Sequence, residues 1–562
     1  MLTTTQQLKG DPAAAWIVRP DRPIQTTTDG RLAGLRFAVK DNINVAGWPT
    51  TAGCPSYSNM PAAHATVVGK LLDAGAKLVG KTNLDQFACG LNGTRSPFGP
   101  VPNAFEARYV SGGSSSGSAA AVATGEVDFA LGTDTAGSGR VPAGLNNIVG
   151  LKPSRGLLSA NGVVPAAQSV DCVSIFATTV GLAARVLAVA AGYDPEDPYS
   201  RKLDLAAQPL PSRFRFGVPS KLEFFDDDLA KAEFEVAIAR LKSLGGTPVE
   251  VDYTPLADAA KLLYESALVA ERYAAIRPFF DGNSDDIVEP VRTIIGAGRN
   301  YSAADCFDAQ TRLRAFGQKA AGMWDQIDVL VVPTAPTHYT IAEMQADPVK
   351  LNRNLGEYTN FVNLLDYAAL AVPSSIREDG LPFGITLIGQ CASDLQLADL
   401  GQRYHHATGL LQGATAHALP PPEAIAGLAP AASVQVAVVG AHLSGMPLNR
   451  QLTDRGATLI RESRTAPDYR LFALPGTVPP KPGLLRGPQG SGTSIVVEVW
   501  SMPLQHYGSF VAEIPGPLGI GTLTLQDGSK VQGFTCEALA TEDALDVSHH
   551  GGWRAYQASL RA

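Results

Sequence analysis

Two hydrophobic periods alternate over residues 35–82, and nothing else in the chain constrains the fold as much. In "LRFAVKDNI" Leu35, Phe37 and Val39 recur at every second position, the pattern of a strand. In "HATVVGKLLDAGAKLVGKTN" Val67, Val68, Leu71 and Leu72 fall on one helical face, Gly75 closes the helix, and "KLVG" opens another strand. Strand, helix and strand in that order make a βαβ unit, which lays helices over a sheet. The apolar runs "DVLVVPTAP" and "PFGITLIGQ" suit a sheet covered on both faces, so residues 1–414 are expected to form one large α/β domain. An Ala/Pro/Gly-rich stretch predicts a linker over 415–433. A new apolar strand from Val434 to Val439 then opens a second domain, 434–562, that reads as β-rich with a few helices.

A chain of 562 residues, 45% hydrophobic and 17% charged, can bury the large core this layout needs. The formal net charge of −8, with no basic run, argues against a nucleic-acid partner. Cys54, Cys89, Cys172, Cys306, Cys391 and Cys536 are scattered, with no CxxC pair and no histidine at ligand spacing. We therefore expect reduced thiols, a cytoplasmic protein, and neither metal nor cofactor. The first residues lack the basic start and apolar core of a signal peptide, and no later run approaches the roughly 20 apolar residues that span a bilayer.

The stretch "SGGSSSGSAAAVATG" (111–125) has a linker's composition in the wrong surroundings. "SAAAVATG" is a short strong helix former ended by glycine, and "DFALGTDT" after it reads as a buried strand. A glycine-serine turn feeding a helix N-terminus presents free N–H groups and hydroxyls. It holds no lysine, which sets aside a phosphate loop. Gly113-Ser114-Ser115-Ser116-Gly117 matches a nucleophile elbow in form, with Ser115 in the nucleophile's place, but "NAFEARYV" makes a poor strand to lead into one. A third reading joins this turn to a second one, "LGTDTAGSGR", so that Lys40, Ser114 and Ser138 stand together.

With "VKDNI", "SGGSSSGSAAAVA" and "LGTDTAGSGRVPAGLNNIVGLKPSRG", residues 1–410 resemble the amidase signature family. That resemblance implies a large mixed sheet covered by helices and a Ser-cis-Ser-Lys triad. Ser138 would be the nucleophile, Ser114 the relay across a cis bond after Gly113, and Lys40 the base. The N–H groups of Thr135, Ala136, Gly137 and Ser138 would form the oxyanion hole. The chemistry suits these residue types, because an amide needs both a base for the attacking hydroxyl and an acid for the departing amine. Asp134 and Arg140 read as structural, holding the loops through charge-assisted hydrogen bonds.

Residues 435–562 resemble the C-terminal domain of the allophanate hydrolase family, itself similar to γ-glutamyl cyclotransferases. The pair of domains implies allophanate, a small carboxylated amide, as substrate and a homodimer as the assembly. Tyr264 and Arg272, eight residues apart and so two turns along one helix, match the family's substrate-binding pair. Gly90 is expected to let the pocket wall approach so small a substrate. His506 matches a histidine base for decarboxylating the product, N-carboxycarbamate, and reads equally well as a strand-end histidine. Other readings of the same features are an amidase for a monoamide such as malonamate and an ammonia-delivering amidotransferase subunit.

Overall fold

The computed structural model describes residues 14–429 and 432–561, and the chain divides into two compact units, 1–428 and 429–562. In the first unit eleven strands form one sheet. They are β1 (Trp16–Val18), β2 (Arg36–Lys40), β3 (Lys77–Thr82), β4 (Phe129–Asp134), β5 (Val149–Lys152), β6 (Cys172–Ala177), β7 (Phe214–Pro219), β8 (Gly246–Val251), β9 (Val329–Pro333), β10 (Ala368–Ile376) and β11 (Pro382–Gly389). Their order across the sheet is β1-β3-β2-β4-β6-β5-β10-β11-β9-β7-β8. Strands β3, β2 and β4 run parallel, as do β8, β7 and β9, while β6, β5, β10 and β11 between them pair antiparallel. The expected large mixed sheet is what forms.

The βαβ rhythm of residues 35–82 survives intact: the helix Thr66–Asp73 buries Val67, Val68, Leu71 and Leu72 between β2 and β3. Strands β4, β6, β9 and β11 are buried along their whole length, which is why they read as continuous apolar runs rather than alternations. The helix Ser116–Ala123 is likewise buried all round. Its alanines pack with Ala38 and Ala130 of the sheet beneath it, and a side chain at Gly117 would come within 2.2 Å of the Ala15 carbonyl. Small residues let this helix lie close to the sheet.

The expected linker is tied down over much of its length. Gln402, on the helix Asp394–Thr408, exchanges hydrogen bonds with the backbone of Glu423, His406 bonds the Pro420 carbonyl, and Ile425 joins the first unit's core.

The second unit is β-rich. A five-stranded sheet has the order β13-β16-β12-β18-β17, from β12 (Ser433–Val438), β13 (Thr458–Arg464), β16 (Val496–Pro503), β17 (Leu518–Thr524) and β18 (Lys530–Cys536). Beside it β14 (Tyr469–Ala473), β15 (Pro482–Arg486) and β19 (Leu545–Asp546) make a three-stranded sheet. Its core, with Val436, Val438, Leu471, Val497, Val499 and Trp553, is its own. Among the described residues no helix is long and apolar enough to cross a membrane.

Candidate active site

Two adjacent parallel strands bring the site together. β2 ends at Lys40 and β4 ends at Asp134, with Val39 in register with Leu131, so the lysine emerges beside the turn that carries Ser138. The Gly-Ser turn enters from the other side, and its Gly113–Ser114 peptide is cis. Lys40 is completely buried, and its Nζ donates to Ser114 Oγ and to Thr133 Oγ1, each at 2.7 Å. Burial lowers its pKa from 10.5 to about 7, against the pull of Asp85, Asp171 and Asp134; the nearby Arg272 lowers it further. A lysine in that state can take a proton near neutral pH.

Ser115, the nucleophile of the elbow reading, is occupied elsewhere, donating to the Thr133 carbonyl and accepting from the Thr133 N–H. Ser138 is almost fully buried, and its hydroxyl donates to the Gly90 carbonyl at 3.3 Å. No Ser114–Ser138 hydrogen bond is present among the described residues. Gly90 thus enters through its backbone oxygen, and the reason for a glycine there differs from the one expected. A Cβ on Gly90 would stand 2.4 Å from Asp85 Oδ2, so the missing side chain makes room for a carboxylate rather than for substrate.

Asp85 organises this side of the site. Its Oδ2 accepts from Asn92 and Gly93 N–H, its Oδ1 from Arg95 N–H, and its own N–H bonds the Ser114 carbonyl. On the other side Asp134 grips the second turn, accepting from Gly137 and Gly139 N–H and pairing with the Arg140 Nε at 2.9 Å. Burial alone would raise the Asp134 carboxyl, but Arg140, Lys152 and the Gly139 N–H hold it below its ordinary value. Arg140 continues to the Thr359 carbonyl and Asn363 Oδ1. The structural role read for Asp134 and Arg140 therefore has its contacts. One expectation changes: the Gly137 N–H is committed to Asp134, which leaves Thr135, Ala136 and Ser138 as the N–H groups with no acceptor among the described residues.

Tyr264 and Arg272 do meet, but not along one helix. The helix Thr254–Glu265 stops at Ser266, whose extended backbone breaks it and whose hydroxyl caps the Leu268 N–H; a second helix, Ala270–Asn283, follows. Across that break the Arg272 Nη2 lies 3.4 Å from the Tyr264 hydroxyl, with the guanidinium over the ring. Arg272 is 3% exposed, and its Nε and Nη1 have no hydrogen-bond partner among the described residues. A groove of about 730 Å³ lined by Ser169, Leu263, Glu271 and Leu364 shares its apolar wall with Ala136; Lys40, Ser114 and Ser138 do not line it.

In the second unit His506 sits in the first turn of the helix Leu504–Val511, after β16 rather than at its end, with its Nε2 3.4 Å from Gln505 Nε2. It does not line a cavity of about 160 Å³ in that unit, one that His442, Gln451, Lys481 and Glu513 do line. The His442 ring stacks on Phe534, and burial lowers its pKa. His442 had no motif to mark it, and Asp85, Thr133 and Asp171 were equally silent, since each acts through partners distant in sequence.

The chain belongs to the amidase family, whose model matches residues 12–398; residues 434–558 match the allophanate hydrolase C-terminal domain. The allophanate hydrolase of Kluyveromyces lactis is similar in structure, with a TM-score of 0.78 and 40% identity, covering 100% of this chain and 97% of that one. The urea amidolyase of Saccharomyces cerevisiae is 43% identical over 94% of this chain, which spans only 30% of that relative's length. A glutamyl-tRNA(Gln) amidotransferase subunit from Halobacterium salinarum is 36% identical over 65% of this chain and 93% of its own.

Proposed function

We propose that this chain hydrolyses allophanate with water to ammonia and N-carboxycarbamate. Neutral Lys40 takes a proton through Ser114 as the Ser138 oxygen attacks the amide carbonyl. The N–H groups of Thr135, Ala136 and Ser138 receive the developing oxyanion, each such donor being worth about 3 kcal/mol. The proton returns to the departing ammonia, and water releases the acyl group. For the relay to run, the Ser138 hydroxyl turns from the Gly90 carbonyl toward Ser114; such hydrogen bonds often tighten only once substrate is bound.

The observation that carries this reading is Arg272, a buried guanidinium with two nitrogens lacking an acceptor, beside Lys40 and Tyr264. Buried guanidinium N–H groups without acceptors are costly, and the carboxylate of a small anionic amide supplies the acceptors that Nε and Nη1 lack. The similarity to urea amidolyase supports urea as the origin of that substrate. The amidotransferase reading accounts for the first unit only, whereas the second unit belongs to the allophanate hydrolase type.

The second unit, in this reading, decarboxylates N-carboxycarbamate. His506 is its base by resemblance, while His442 occupies the cavity with Lys481, whose ammonium suits a dicarboxylate. Replacing each histidine by alanine separates the two. A homodimer in the cytoplasm completes the proposal, to be checked by sedimentation and fractionation.

The test follows ammonia and carbon dioxide released from allophanate, malonamate and glutamine. Allophanate alone should turn over, Ser138→Ala should abolish it, and Arg272→Met should raise KM about 100-fold, the scale of a lost charged hydrogen bond. Turnover of glutamine or malonamate instead would move the assignment to that substrate.

A further inference from the structure

Asp171, immediately before β6, has no place in the chemistry so far, yet it touches the turn that carries Ser138. Thr135 Oγ1 donates to its Oδ1 at 2.5 Å. Its Oδ2 accepts from the N–H groups of Ala166 at 2.8 Å and Ala167 at 3.1 Å. One carboxylate thus ties the 166–171 loop to the 135–138 turn, against the apolar wall of Ala136, Ala167, Val170 and Leu364. Asn363 spans the same two segments, donating to the carbonyls of Asp134 and Val170.

Charge completes the picture. The groups that face Asp171 are Arg272 from the helix Ala270–Asn283, Lys40 from β2, and Cys172 of β6, which also contacts Lys152. Burial pushes the Asp171 carboxyl up to about 6, despite its hydrogen bonds and Arg272. Asp171 in turn raises Lys40, together with Asp85 and Asp134. A buried carboxylate bonded to the turn that carries Ser138, with a base tuned to neutrality nearby, is an arrangement found at functional sites.

We propose that Asp171, as a carboxylate, is a positioning residue for the reaction: through Thr135 it holds the turn bearing Ser138, and its charge acts on Lys40 together with those of Asp85 and Asp134. The proposal rests on the assignment of Ser138 and Lys40 made above. Two ionisations then govern the acid side of the pH profile. Activity requires Asp171 without its proton and Lys40 without its proton, so both losses fall at low pH.

The experiment uses the full chain and Asp171→Asn, with ammonia release from allophanate measured between pH 5 and 9. For the wild type the logarithm of kcat/KM should fall toward a slope of two below about pH 6, since two protons must leave. In Asp171→Asn the slope should be one and the remaining midpoint should lie below the wild-type value, because a charge that raised Lys40 is gone. At the optimum kcat should drop about 10- to 100-fold with KM nearly unchanged, the signature of an interaction made in the transition state. A second probe is independent of the substrate: a small sulfonyl fluoride, whose fluoride Ser138 Oγ displaces as Lys40 takes the proton, with labelling read by mass. If the wild type leaves allophanate intact but labelling follows the two-proton profile, the substrate assignment falls and Asp171 stands. A wild-type slope near one in both assays overturns the proposal, even if Asp171→Asn fails to fold. So does a variant whose slope and midpoint match the wild type, or whose rate falls only in step with its melting temperature.

Discussion

At the scale of the residue, Lys40 sets the terms. It is the base the proposed amide hydrolysis needs, and it is also a burden on the fold. Its pKa falls from 10.5 to about 7 because the interior does not solvate an ammonium. The sign follows from linkage. Below pH 7 both folded and unfolded chains carry the proton, and the folded state bears the whole cost of burying it. As pH rises from 7 to 10.5 that cost shrinks, because only the unfolded chain stays charged. A displacement of this size amounts to on the order of 5 kcal/mol. Lys40→Met should therefore abolish ammonia release while raising the melting temperature, with a larger gain at pH 6 than at pH 10. A variant that is inactive and less stable at pH 6 would mean that the bonds to Ser114 and Thr133 outweigh desolvation. Lys40, Ser114 and Ser138 were legible because the motif fixes their types and spacing. Asp171 and Asp85 were not, since an aspartate in a loop carries no mark of what will fold against it. Arg272 was found through its spacing from Tyr264, but on a wrong picture of the helix between them.

At the scale of the element, glycines decide where backbones approach. Gly137 has φ +132°, and a Cβ there would lie 2.4 Å from Thr359 Oγ1 and 2.7 Å from Thr359 Cβ. Gly34 also has positive φ, at +82°, but nothing lies within 4 Å of the corresponding point. The pair separates conformational cost from crowding. Gly34→Ala should lose about 1 kcal/mol in denaturant unfolding, the conformational penalty alone. Gly137→Ala adds overpacking and should lose about 3 kcal/mol or more, together with most of the activity, because the displaced turn carries Ser138. Equal losses at the two sites would show that Thr359 yields freely. The sequence announced the helix Ser116–Ala123 and the strand β4 through propensity and apolar runs. It did not announce that β4 pairs antiparallel with β6, because strand order depends on connections that local periodicity does not encode. The break at Ser266 escaped for a related reason: the helical pattern continues through it, and a single extended residue leaves no trace in the period.

At the scale of the whole molecule, the two units have separate cores, with no buried residue in common. The stretch before Leu428 bonds back onto the helix Asp394–Thr408, so a cut after Leu428 keeps that stretch with the first unit. If the chemistry divides as proposed, a protein of residues 1–428 should fold and release the first ammonia from allophanate at nearly the rate of the full chain. The second ammonia requires decarboxylation of N-carboxycarbamate and then breakdown of carbamate. Without the second unit it should lag, and carbon dioxide should lag with it. The full chain should show neither delay. A truncated protein that releases both ammonia molecules together would leave the second unit no part in the chemistry, and would make the cavity lined by His442 and Lys481 a site for something else. A truncated protein that folds but releases no ammonia would place a requirement of the first reaction in the second unit, which the contacts of Lys40, Ser114, Ser138 and Arg272, all with residues of the first unit, give no reason to expect.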